Sequence, residues 1–180
     1  MTSNARTTTA FSKYRWEFSD QTMNSTVCRY GGDTDQMGAE EGLKQWVDGP
    51  VQAPESEPTE CPEVPERPNL QYLWVVTSTD ILHALETCDF GAHREAGVAK
   101  HSNLTGGKSA FVGGELVFLD EKTVAITGSS GRYRLRGLSE MTAIERAFLE
   151  SGYNVWSMGY NKETNRPNLF GLSDPVWVSP

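Results

Sequence analysis

The chain has 180 residues, with 24 acidic and 16 basic side chains and a formal charge of -8; its isoelectric point is near 4.9 and its mean hydropathy is -0.49. That length suits one domain with an extension, and the acidity argues against non-specific binding to nucleic acid or to anionic membranes, both of which rest on net positive surfaces. No apolar run approaches the ~20 residues that span a bilayer, the amino-terminal stretch MTSNARTTTAFSKYRWEF lacks the apolar core of a signal peptide, and Cys28, Cys61 and Cys88 have neither metal nor disulfide spacing, so a cytoplasmic protein with free thiols and no metal site is expected.

In chain order, KYRWEF (13–18) alternates like a short strand, and EEGLKQWV (40–47) reads as a helical turn or two, in a segment broken by Gly31, Gly32, Gly38 and Gly42. Residues 1–49 are therefore expected to be poorly ordered or accessory. Residues 50–69 form a linker rich in Pro and Glu, a composition that favours extended, solvated chain. A core domain is expected over 70–180, and a chain starting near Asn69 is expected to remain folded. Within it, LQYLWVVT (70–77) reads as a buried strand, and Thr79-Asp80 as the N-cap of a short helix, ILHALET.

A polar loop follows, then SAFVGGELVFLD (109–120) and KTVAITG (122–128) read as two strands joined by a tight turn. A helix is expected at about 139–151: Ser139 is its N-cap, Met141, Ile144 and Phe148 recur at helical spacing, and Gly152 ends it. YNVWSMGY supplies a last strand. The expected fold is α+β: a single domain with a small antiparallel or mixed sheet and two helices, preceded by the Pro- and acid-rich arm.

Three features carry possible chemistry. Glu115 follows Gly113-Gly114 at the start of an apolar strand, where a carboxylate either faces solvent or is held by a specific partner, and the glycines leave room for a ligand or another backbone. His101 has a side chain that titrates near neutrality and suits an acid, a base or a hydroxyl partner, or simply a loop histidine bonded to a carbonyl. In RYRLR (132–136), an extended backbone would put Arg132, Arg134 and Arg136 on one side and Tyr133 and Leu135 on the other. Such a stripe would hold a phosphate-bearing ligand, an acidic protein surface or the protein's own arm, or stay solvated. The run GGKS (106–109) does not complete a nucleoside-triphosphate loop, because Ser102 stands where the first glycine is required.

His101-Ser102, Gly106-Gly107, Gly114-Glu115 and Ser130-Gly131-x-Tyr133 resemble a signature of carboxy-terminal domains of bacterial polymorphic toxins and effectors, also similar to a block of plant calmodulin-binding proteins with an IQ motif. The resemblance covers about residues 70–160. Asn103, Gly113, Arg132 and Leu135 stand where the family pattern has serine, alanine, histidine and proline, and no IQ motif is present, so calmodulin binding is not implied. The resemblance implies a shared pocket. Histidine, tyrosine and glutamate are also the residue types with which one class of ADP-ribose-transferring toxins handles NAD, although that class places its glutamate last, the position of Glu140 here. NAD-dependent ADP-ribose transfer or NAD cleavage is the enzymatic expectation. It would have His101, Glu115 and Tyr133 as catalytic candidates and Ser102, Gly114, Ser130, Arg132, Arg134 and Arg136 as ligand contacts. The alternative is a non-catalytic inhibitor, immunity or regulatory module.

Overall fold

The computed structural model describes residues 5–23, 30–50 and 55–180; Cys28 lies outside them. The chain is one α+β domain whose main sheet has seven strands, larger than the small sheet expected. Its strands are β1 (Lys44–Gln45), β2 (Tyr72–Val76), β3 (Ile81–Leu85), β4 (Val112–Asp120), β5 (Thr123–Thr127), β6 (Asn154–Ser157) and β9 (Val176–Trp177). Between β6 and β9 the chain forms a separate hairpin of β7 (Tyr160–Asn161) and β8 (Arg166–Pro167). The order across the sheet is β1-β3-β2-β4-β5-β6-β9. Every neighbouring pair is antiparallel except β5 and β6. That parallel pair needs a crossover, which helix α4 (Leu138–Glu150) provides.

Helices α1 (Ala5–Glu17) and α4 share one face of the sheet. Met141, Ile144 and Phe148 of α4 are fully buried there, at the spacing that predicts the helix, and the N-cap is Gly137, two residues before the expected Ser139. On α1, Ala10, Phe11 and Tyr14, with Phe18 just past its end, follow a helical repeat and are buried, while Trp16 is 83% exposed. The alternation Tyr14, Trp16, Phe18 that reads as a strand is therefore one turn of helix seen from both sides. This segment and Trp46 join the main core, where accessory chain was expected, and β1 pairs with β3 at the sheet edge.

ILHALET is also a strand and not a helix. Thr77 and Asp80 close a hairpin turn: the Thr77 amide donates to the Asp80 carbonyl at 2.9 Å, and the Asp80 amide donates to Thr77 Oγ1 at 2.8 Å. The Thr-Asp pair that suits a helix cap thus serves a β-turn, the competing use of the same hydroxyl chemistry.

The second face carries two clusters. One joins Leu73, Val75 and Ala84 to Phe90 of α2 (Asp89–Ala92), Leu104 of α3 (His101–Thr105) and Tyr133. The other joins Val117, Ala125 and Trp156 to Val64, Phe170 and Trp177. Val64 belongs to the acidic linker, whose backbone accepts a hydrogen bond from the Gly171 amide at 2.9 Å. The linker therefore lies along this face, bringing Lys122 and Glu55 within 2.9 Å. Among the described residues its carboxylates form no ion pair with the arginines of RYRLR.

Candidate functional site

His101 lies in α3, not in the polar loop expected there, because Lys100 to Thr105 make a single helical turn closed by Gly106 in the left-handed region (φ 66°). Three successive residues of that turn face inward. Ser102 Oγ donates to the Asp33 carbonyl at 2.5 Å, and Asn103 Nδ2 donates to the carbonyls of Gly32 and Asp35 at 2.9 and 3.0 Å. The His-Ser-Asn run thus fastens the 30–35 turn onto the domain, and Ser102 is a structural residue with no access to a ligand.

His101 Nε2–H donates to the Gly114 carbonyl at 2.7 Å, and the ring makes no other hydrogen bond among the described residues. A proton on Nε2 leaves Nδ1 as an acceptor. Burial, reinforced by the charges of Lys100 and Arg132, lowers the His101 pKa to about 4, although the Gly114 carbonyl opposes the shift. The imidazole is neutral at physiological pH.

The two glycines before Glu115 have separate reasons. A Cβ on Gly113 would come within 2.8 Å of the His101 ring, and one on Gly114 within 2.2 Å of the Thr127 carbonyl and 2.3 Å of the Trp74 ring. The space that could admit a ligand is filled by His101 and Trp74.

Glu115 sits opposite Leu73 on β2 and shares a cleft of about 410 Å³ with His101. Ser130, Gly131, Arg132 and Arg134 line another wall, and Lys100, Glu86 and Tyr30 complete the rim. Burial raises the Glu115 pKa to about 7, helped by the nearby charges of Glu86 and Glu66 and opposed by the amide of Gln71, which donates to Oε2 at 3.1 Å. Glu86 is raised as well, by burial first, with Lys100 opposing. The cleft therefore holds a carboxyl poised between its two protonation states near neutral pH, beside a neutral imidazole acceptor.

Tyr133 does not join them. It is fully buried, its hydroxyl donates to the Lys108 carbonyl at 2.6 Å, and Thr105 Oγ1 lies 2.6 Å away. The arginine stripe does not form either, because residues 130–136 are a loop and not a strand. Ser130 Oγ accepts from the amides of Arg132 and Tyr133 at 3.2 and 3.1 Å, turning the chain as it leaves β5. Arg132 is buried and its Nη2 lies 2.6 Å from Asp33 Oδ2, itself buried. Arg136 turns back to Glu140, a buried carboxylate in the first turn of α4 that also accepts from the Arg136 amide at 2.8 Å and from the Tyr14 hydroxyl at 2.7 Å. Burial, then Glu140, drives the Tyr14 pKa far up, so the phenol stays a donor. Glu140 accordingly joins α1 to α4 and is absent from the cleft lining. Arg134 alone of the three is exposed to the cleft, and it forms no hydrogen bond or ion pair among the described residues.

Tyr30 and Lys100 are site residues that the sequence reading misses. Lys100 Nζ lies 5.8 Å from the centre of the half-exposed Tyr30 ring. Tyr30 stands in a glycine-rich segment with no periodicity, and only the turn fastened by Ser102 and Asn103 brings it to the cleft. Among the described residues no three His, Cys, Asp or Glu side chains gather as a metal site, and no helix is long and apolar enough to cross a membrane. Comparison of the chain with protein-family models, curated proteins and solved structures finds no significant match.

The raised Glu115 carboxyl has a measurable consequence. Its folded pKa lies above the ordinary carboxylate value, so the native state holds the proton more tightly than the unfolded chain, and stability falls as pH rises from about 4.5 through about 7. The lowered His101 and His83 values act oppositely over pH 4 to 6.5, since both rings must charge in acid. A Glu115→Gln variant isolates the first effect. Relative to the parent, it is expected to gain on the order of 2–3 kcal/mol in stability above pH 7 and to lose that advantage below pH 4.5. Denaturant unfolding of both proteins at pH 4, 6 and 8 checks this; a pH-independent difference would place the Glu115 pKa in the ordinary range.

Proposed function

We propose that the Glu115 cleft binds a phosphate-bearing ligand of nucleotide type and that the domain is a toxin- or effector-like enzyme acting on NAD, by cleavage or by ADP-ribose transfer. The observation that carries this reading is one carboxyl with a pKa near 7 in a cleft that also holds Arg134, whose side chain has no partner among the described residues, and Lys100 beside the Tyr30 ring. A guanidinium fork suits phosphate oxygens, and an aromatic ring beside a cation suits a stacked base. In NAD cleavage the bond between the nicotinamide nitrogen and the ribose carbon breaks, and its electron pair leaves with neutral nicotinamide. Water or an acceptor nucleophile adds to the ribosyl carbon, and its proton passes to the ionised Glu115 carboxylate. His101 Nδ1 accepts a ribose hydroxyl and orients the sugar. Free thiols at Cys61 and Cys88 agree with a reducing, cytoplasmic setting.

A second reading, a non-catalytic inhibitor, immunity or regulatory module, is favoured by the internal use of Arg132, Tyr133 and Arg136, which makes the Ser130-to-Arg136 segment largely structural. Calorimetric titration with ADP-ribose and assay of nicotinamide release from NAD separate the two. The enzymatic reading expects ADP-ribose binding to weaken about tenfold in Arg134→Gln and nicotinamide release to disappear in Glu115→Gln while binding persists. Binding without release favours a regulatory module, and no binding of any nucleotide removes the ligand reading.

A further inference from the structure

A second cleft, of about 350 Å³, adjoins the first and shares residues 129–131 and Arg134 with it. Its far wall is the turn of the β7–β8 hairpin, which presents Asn165 and Arg166. The Arg166 side chain is exposed and, like that of Arg134, forms no hydrogen bond or ion pair among the described residues. The hairpin turn itself is fixed: Asn165 adopts the left-handed region (φ 56°) and its Oδ1 accepts from the Tyr160 hydroxyl at 2.5 Å. Two guanidinium groups without partners among the described residues therefore border a short backbone partition, with the Glu115 cleft on one side and the hairpin on the other.

Each cleft alone lies at the low end of the ~300–1,000 Å³ of small-molecule sites. A ligand with two sugar-base units would need both clefts, with the partition bearing Arg134 between them. We infer that the two clefts form one extended site for a dinucleoside diphosphate, its diphosphate lying across residues 129–131 against Arg134 and its distal half held at Arg166. This rests on the reading of the Glu115 cleft as a nucleotide site and adds to it a second subsite, at the β7–β8 hairpin, for the distal half of the ligand. The first cleft also carries Glu86 and Glu115, which repel anions, so the phosphates belong at the partition, away from those carboxylates.

The test compares AMP, ADP-ribose and NAD as calorimetric probes on the full chain and on Arg166→Gln. Because Arg166 is exposed and unbonded, the variant is expected to unfold at the parental temperature. The inference expects NAD and ADP-ribose to bind at least tenfold more tightly than AMP, and Arg166→Gln to lose about tenfold for NAD and ADP-ribose with AMP unchanged. If AMP binds and all three probes ignore Arg166→Gln, the extended site is overturned while the nucleotide reading of the Glu115 cleft stands. If no probe binds the parent protein, both are overturned. If single-stranded oligonucleotide binds more tightly than NAD and loses affinity in Arg166→Gln, the groove serves nucleic acid and the inference is likewise overturned.

Discussion

A chain lacking residues 1–69 is expected not to fold. The missing segment contains Phe11, Tyr14 and Trp46, which are buried at 0–2% exposure against Phe148 and its neighbours on the main core face. Each large aromatic removed from a core costs about 3–5 kcal/mol, so three of them exceed or consume the ~5–15 kcal/mol by which domains are stable. Two further losses act in the same direction. Glu140, still buried, loses the Tyr14 hydroxyl, and β3 becomes an unpaired sheet edge when β1 is gone. Circular dichroism and thermal unfolding of the truncated chain check this. A cooperative transition near the parental temperature would show that α1 and β1 rest on a core complete without them.

The second large effect is expected at the Asp33–Arg132 pair. Both side chains are buried and 2.6 Å apart, joining the turn at residues 30–35 to the loop after β5. Asp33→Ala removes the carboxylate paired with the buried Arg132 guanidinium and is expected to cost about 3–5 kcal/mol. For a domain of this size that corresponds to a fall of roughly 10 °C in the unfolding midpoint. Replacing both residues with leucine is expected to recover a large part of the loss, since a buried pair exchanged for apolar groups is close to neutral. Salt is the control: exposed pairs are screened within about 8 Å at physiological ionic strength, whereas this buried pair is expected to be insensitive to it. An Asp33→Ala midpoint within 2 °C of the parent would place the pair at a solvated surface, as the sequence alone suggests for Arg132.

The carboxy-terminal part of the fold was legible because its signals were local and unopposed. Met141, Ile144 and Phe148 repeat at helical spacing, and the two strands around residues 120–122 are long, apolar and separated by a turn. The amino-terminal part was not, because short segments satisfy two patterns at once. Tyr14, Trp16 and Phe18 alternate, yet only Ala10 and Phe11 upstream reveal the helical stripe, and Thr77 to Asp80 can cap a helix or close a hairpin. Tertiary pairing of β1 with β3 decides the latter case.

Of the candidate site, His101 and Glu115 do share a cleft, together with Ser130, Arg132 and Arg134. Their clustering follows from Gly113 and Gly114, which admit the His101 and Trp74 rings next to Glu115. The expected stripe of arginines does not form for a different reason. Alternation sorts side chains only in an extended backbone, and Ser130 turns this one, sending Arg132 to Asp33 and Arg136 to Glu140. Neither acid is near in sequence to a recognisable partner motif, so no local pattern announces those pairs. Arg134 and Arg166 are left facing the groove, one of them from a hairpin that no motif marked.

The cleft between α3, β4 and the loop after β5 is the proposed ligand site. Amide chemical-shift mapping during titration with ADP-ribose tests it most directly. The account predicts that the largest changes fall on Lys100, Glu115, Ser129, Gly131 and Arg134, with α1 undisturbed. Saturable changes centred instead on the exposed groove between α1 and α4, around Lys13 and Arg146, or no changes at millimolar ligand, would contradict it.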